Sequence, residues 1–68
     1  MKLLELLELI DEEDEVEVYH LKDEVSIFEG YVRDLVGLIR ENIIANLYIN
    51  NIYNNRLHIR IYVYKGEE

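Results

Sequence analysis

The side chains that could do chemistry are plentiful in this sequence but badly spaced for catalysis. The densest run is Asp11-Glu12-Glu13-Asp14-Glu15-Val16-Glu17, with six carboxylates in seven positions. A general acid needs a carboxyl whose pKa a pocket has moved, and adjacent acids in a turn are ordinarily solvated. The run also lacks the ligand spacing and central glycine of a calcium loop. Ser26 is the one serine, with no glycine-rich elbow and no histidine opposite it. His20 and His58 fall in separate hairpins without partners at ligand spacing, so they read as ordinary strand and surface residues. Gly30, Gly37 and Gly66 are isolated and make no phosphate loop. The absence of Cys excludes a disulfide framework, a thiolate metal site and a cysteine nucleophile. The expectation is a chain with no enzymatic activity, no metal and no cofactor.

Two surfaces remain. One is the acidic run, with Glu5, Glu8, Asp23, Glu24 and Glu29 around it. It serves either solubility or the capture of a basic partner, for which Asp11, Glu12, Glu13, Asp14, Glu15 and Glu17 would supply the field. The other is the polar side of a C-terminal hairpin, carrying Asn46, Tyr48, Asn50, His58, Arg60, Tyr62 and Tyr64. It serves either cross-strand packing or an interface, since Tyr, Arg and Asn suit protein contacts. Such a face could also stack single-stranded bases, but an overall charge of −8 repels phosphate. Direct nucleic-acid binding is therefore not expected.

The elements that must position these surfaces follow from hydrophobic period. Residues 1–10 read as a helix, with Leu3, Leu6, Leu7 and Ile10 on one stripe. Residues 15–21 alternate, Val16 and Val18 against Glu17 and Tyr19, as a half-buried strand does. A turn at Lys22-Asp23 and a returning strand over 24–33 set Val18 against Ile27 and His20 against Val25. Gly30 marks a bulge or bend there. Asp34 suits the N-cap of a helix over 35–42, with Leu35, Leu38 and Ile39 on its apolar face. The spacing 35, 39, 43, 47 also fits a longer helix. A change to strand near Ile43 is favoured because Ile, Tyr and Asn dominate from there.

Leu57, Ile59, Ile61 and Val63 then alternate strictly with His58, Arg60, Tyr62 and Tyr64. A three-residue loop at 53–55 would set Ile49 against Ile59, Leu47 against Ile61 and Tyr48 against Arg60, keeping apolar with apolar. Residues 65–68 read as a frayed tail. The fold class is α+β in a single small domain, α-β-β-α-β-β, with two antiparallel hairpins and helices on one face of an antiparallel sheet. A small bent barrel with its corner at Gly30 is the alternative.

The 68 residues hold 15 Asp/Glu and 7 Lys/Arg, and half are hydrophobic. A domain this short buries only about 60% of its unfolded surface. With nine Ile, ten Leu and six Val, either the core is unusually apolar or part of it faces a second copy, so a homodimer is a real expectation. No apolar run approaches the roughly 18 residues of a membrane helix, and Glu5 and Glu8 interrupt the one segment that could imitate a signal peptide. The expected location is cytoplasmic. Charge is lopsided: residues 1–34 hold 12 acids and 3 bases, residues 35–68 hold 3 acids and 4 bases.

The run Leu3-Leu4-Glu5-Leu6-Leu7-Glu8-Leu9-Ile10-Asp11, the strand Glu15-Val16-Glu17-Val18 and the segment Phe28-Glu29-Gly30-Tyr31-Val32-Arg33-Asp34-Leu35 resemble small uncharacterised acidic proteins of Gram-positive bacteria and their phages. The likeness covers about the first half of the chain. In size and charge, not in a motif, the chain is similar to anti-CRISPR proteins and other DNA mimics. That resemblance implies an inhibitor that occupies a basic groove of a nucleic-acid-handling protein. The competing expectation is a homo-oligomeric assembly protein held by Tyr48, His58, Arg60, Tyr62 and Tyr64.

Overall fold

The structure is a computed structural model that describes residues 1–54 and 58–66. Its elements are α1 (Leu3–Leu7), β1 (Glu15–His20), β2 (Val25–Tyr31), α2 (Val32–Arg40), β3 (Tyr48–Asn54) and β4 (Ile59–Tyr64). The four strands form one sheet in the order β2-β1-β4-β3. Both helices pack on one face, so the fold is α+β in two layers. β2 and β3 are edges and the sheet does not close, which sets aside the barrel. No helix among the described residues is long and apolar enough to cross a membrane.

The sheet is mixed rather than antiparallel. β1 pairs antiparallel with β2, β3 with β4, and the two pairs join through a parallel β1–β4 ladder. The reason lies in the side chains. β1 and β4 carry Val16, Val18, Ile61 and Val63, all buried, whereas β2 and β3 have no fully buried residue. The most apolar strands take the centre, where coverage is greatest, and the more polar ones take the edges.

β1 enters its turn one residue earlier than expected. His20 does meet Val25, but Leu21 leaves the hairpin to donate its N–H to the Val63 carbonyl, at 3.0 Å. Glu24 closes the turn with φ 56° and an N–H bond to the His20 carbonyl, at 2.8 Å. A bulge at Ile27 then sets Val18 against Phe28, not Ile27. Gly30 is not the bulge. It pairs regularly with Val16, and the Phe28 ring lies over it, 3.1 Å from where a Cβ would stand.

α1 is shorter than residues 1–10. Leu3 and Leu7 are buried, but a tightened Leu9-to-Leu6 bond ends the helix and leaves Leu9 73% exposed. Its start is capped twice: the Glu5 carboxylate accepts the Lys2 N–H at 2.8 Å, and Asn46 Oδ1 accepts the Leu4 N–H at 2.9 Å. Asn46 therefore belongs to the α1 cap and not to the hairpin face.

α2 begins three residues earlier than expected, with Tyr31 and not Asp34 at the N-cap. Asp34 instead lies in the first turn, where a carboxylate favours the positive end of the helix dipole. Val32, Leu35 and Ile39 form the buried stripe. The C-terminus is fixed by Asn42 at φ 63°, whose N–H bonds Ile39 O while the Ile43 N–H bonds Leu38 O. This paired closure around a left-handed residue is a Schellman motif, and it rules out one long helix through Leu47. The strand nevertheless starts at Tyr48, not Ile43.

The β3–β4 register differs from the expected one. Tyr48 meets Tyr64, Ile49 meets Val63, Ile52 meets Ile61, and Tyr53 meets Arg60. Tyr53 and Asn54 are paired strand residues, not loop, and Asn55 lies outside the described residues. Asn50 is an extra, unpaired residue between Ile49 and Asn51. Pairing apolar with apolar was the right rule, but the bulge lets the longer register satisfy it too.

Gly37 lies inside α2 with nothing within 4 Å of the position a Cβ would take. Gly37→Ala should stabilise the protein by about 0.5–1 kcal/mol through helix propensity alone. Urea denaturation measures it, and a loss of stability would contradict this placement of the helix.

Candidate functional site: an acidic turn and a tyrosine face

The acidic run is divided by the fold. Asp11, Glu12, Glu13 and Asp14 make a turn between α1 and β1, Glu15 opens β1, and all five are exposed. The turn is closed by the Asp14 N–H on Asp11 O, at 3.0 Å, and by the Glu13 N–H on Asp11 Oδ1, at 2.8 Å. It is also fastened to α2. The Asp14 carbonyl accepts the Val32 N–H at 2.9 Å, and the Glu12 carbonyl accepts the Arg33 N–H at 3.0 Å. These are two of the helix N–H groups that have no partner within the helix. The turn thus replaces a side-chain cap, and its carboxylates gather near the positive end of α2. Arg33 pairs with Glu13 at 3.4 Å, both side chains well exposed.

Glu17 does not belong to this ridge. Strand alternation turns it onto the sheet face away from the helices, where its side chain keeps only 15% exposure. Arg60, its neighbour across the parallel ladder, donates from Nε to Glu17 Oε1 at 3.1 Å. His58 Nε2 lies 3.4 Å from the same oxygen. Burial alone would raise the Glu17 carboxyl. The Arg60 hydrogen bond and charge, with hydrogen bonds from Ser26 and His58, overcome it and hold the carboxyl below its ordinary 4.5. Arg60 also donates from Nη1 to the Tyr62 hydroxyl at 3.3 Å, and that bond together with Glu17 raises the guanidinium further.

The face around this pair is larger than the C-terminal hairpin. The registers place Tyr19, Tyr31, Tyr48, Tyr53, Tyr62 and Tyr64, every tyrosine in the chain, on the helix-free side. Tyr19 and Tyr62 meet edge to face at 5.6 Å, and Tyr48 stacks with Tyr64 at 5.7 Å. Lys2 lies over the Tyr48 ring at 5.4 Å and Arg33 over Tyr31 at 5.0 Å. Tyr48 and Tyr53 are five residues apart and would fall on opposite sides of a regular strand. The extra residue at Asn50 brings them to the same side.

Of the residues expected on this face, Tyr48, Arg60, Tyr62 and Tyr64 are there and His58 joins them through Glu17. Asn46 is not, and Asn50 is the bulge. Tyr19, Tyr31, Tyr53 and Glu29 belong to the face and were missed. The alternation of Tyr19 with Val18 was visible, but only the β1–β4 ladder shows that both hairpins share one face.

A groove of about 520 Å³ runs between residues 7–12 and α2, floored by Leu7, Ile10, Val32 and Val36. Its two arginines are engaged at the rim, Arg33 by Glu13 and Arg40 by Glu8 at 3.7 Å. Among the described residues no group of three His, Cys, Asp or Glu is placed to hold a metal ion. No protein-family model, curated protein or solved structure matches the chain.

The Glu17–Arg60 pair makes a pH prediction. Because the folded carboxyl is depressed, its contribution to stability is complete above 4.5 and is lost as pH falls through the folded value. Arg60→Gln should destabilise the protein at neutral pH and progressively less in acid, once Glu17 is protonated and needs no cation. Thermal unfolding across that range measures it; a pH-independent difference would contradict the pairing.

Proposed function

We propose that this chain is a non-catalytic binding module that captures a basic protein through the acidic turn. In this reading it is an inhibitor, acting in the cytoplasm of a host cell, that stands in for nucleic acid in the groove of a nucleic-acid-handling protein. The observation that supports it is the fastening of residues 11–14 to α2 by two backbone bonds. Carboxylates on a fixed turn present a shaped field, whereas a floppy acidic arm would spend binding energy on ordering itself. Nucleic acid offers closely spaced backbone charges to a basic groove, and consecutive exposed acids offer a comparable density. Attraction of this kind speeds encounter and weakens with salt.

Glu12, Glu13 and Asp14 can be reversed to Lys without touching the carbonyls that cap α2. The triple variant should fold and lose capture of basic, duplex-DNA-eluted proteins from a host lysate. Reversal of Asp23 and Glu24, at the opposite end of β1, should leave capture largely intact. Equal capture by the triple variant and the unaltered protein would refute the reading.

A further inference from the structure

The helix-free sheet face is self-complementary, and we infer that it is an interface with a second copy of this chain. The partner sheet packs face to face about a two-fold axis that runs along the strands, between β1 and β4. The inference is independent of the acidic-turn reading.

Two rows of outward side chains cross the sheet. One row is Glu29 (β2), Glu17 (β1), Arg60 (β4), Tyr53 (β3). The next is Ser26, Tyr19, Tyr62, Asn51. A two-fold parallel to the strands lays each row on its own reverse. Glu17 then faces the partner's Arg60, and Arg60 faces the partner's Glu17. The two intrachain ion pairs, 3.1 Å each, become a closed square of alternating charge. Tyr19 faces the partner's Tyr62, Ser26 faces the partner's Asn51, and each Glu29 carboxylate faces a Tyr53 hydroxyl that can donate to it. A perpendicular in-plane axis sets β2 on β2: through the first row it opposes Glu29 to Glu29 and Glu17 to Glu17, and between the rows it leaves Glu17 and Arg60 facing Tyr19 and Tyr62, so only the axis along the strands pairs each charge of the centre with its opposite. An isologous contact of this kind is the commonest way for a small protein to assemble.

The face suits such burial. Its tyrosines have few rotatable bonds to freeze, and aligned sheets pack about 10 Å apart with interdigitating side chains. The strands put Glu15, Glu17 and Glu29 on it, while Asp11, Glu12, Glu13 and Asp14 in the turn and Asp23 and Glu24 at the β1–β2 hairpin end lie beyond its ends. The residual repulsion of two chains of charge −8 is screened beyond about 8 Å at physiological salt. Four strands at about 4.8 Å and six residues at about 3.3 Å give a footprint near 20 by 20 Å. That is below the roughly 800 Å² per partner of a standard interface, so the dimer is weak and dissociates on dilution.

Glu29 and Tyr53 sit on opposite edge strands, three strand spacings or about 14 Å apart. They do not meet within one chain, so any coupling between them reports contact between copies. Tyr53 is 59% exposed and Glu29 is exposed, so both tolerate substitution. Sedimentation equilibrium at physiological salt should show the mass rising from 8.2 kDa toward twice that value between micromolar and millimolar protein. Tyr53→Glu places like charges together at two symmetry-related positions and should weaken the dimer about tenfold or more. Adding Glu29→Lys to it should restore association, and Tyr53→Lys alone should retain it. The Glu12, Glu13 and Asp14 reversal should dimerise at least as well as the unaltered protein. A monomer throughout, a dimer indifferent to Tyr53→Glu, or a double variant without rescue would each overturn the inference; circular dichroism confirms that every variant is folded.

Discussion

Val16 and Val18 lie beside Ile61 and Val63 in two parallel strands that no short connection joins. The rest of the molecule depends on that pairing. Each hairpin alone is a two-stranded ribbon, marginal in water. The parallel ladder joins them into a sheet with one continuous apolar stripe, wide enough to receive Leu3 and Leu7 from α1 and Val32, Leu35 and Ile39 from α2. The same ladder fixes Glu17 against Arg60 and Tyr19 against Tyr62 on the other side. Core and candidate interface are therefore set by one register.

The two helices, α1 and α2, cover one face of the sheet. The uncovered face has to be made of side chains that tolerate both water and close packing, and tyrosine with paired charges does so. The two bulges serve this division. The one at Ile27 brings Phe28 over Gly30 on the helix side, and the one at Asn50 keeps Tyr48 and Tyr53 together on the other. Bulges are commonly where a strand re-aims its side chains, and here they sort apolar from polar across both edge strands.

The acidic turn illustrates how a local feature of sequence can be tertiary in role. Six carboxylates in seven positions look like a solubilising patch. Two backbone carbonyls from that segment finish α2, and the residue expected to cap that helix, Asp34, sits inside it. Period and composition were enough to identify both helices, the strands at 15–20, 25–31 and 59–64, and the pairing of His20 with Val25. The alternation at 59–64 is strict and that at 15–20 is clear, whereas the left-handed closure of α2 at Asn42 and the bulge at Ile27 were not read from the sequence. What stayed hidden was non-local: the parallel join, the β3 register behind its bulge, and the cap supplied by Asn46 from far along the chain. None of these leaves a periodic trace. For the surfaces, the consequence was that Tyr19, Tyr31 and Tyr53 gained a common face with the C-terminal hairpin, whereas the departure of Glu17 from the acidic ridge follows from the alternation of β1 alone.

Native-state amide hydrogen exchange tests the central pairing most directly. If β1 and β4 form one ladder, their amides share the highest protection and exchange together, at the free energy of global unfolding. The edge strands β2 and β3 exchange earlier. Should the β1–β2 pair keep its protection while β4 exchanges through a separate opening, the hairpins are independent units, and the shared face with its Glu17–Arg60 centre does not exist as described.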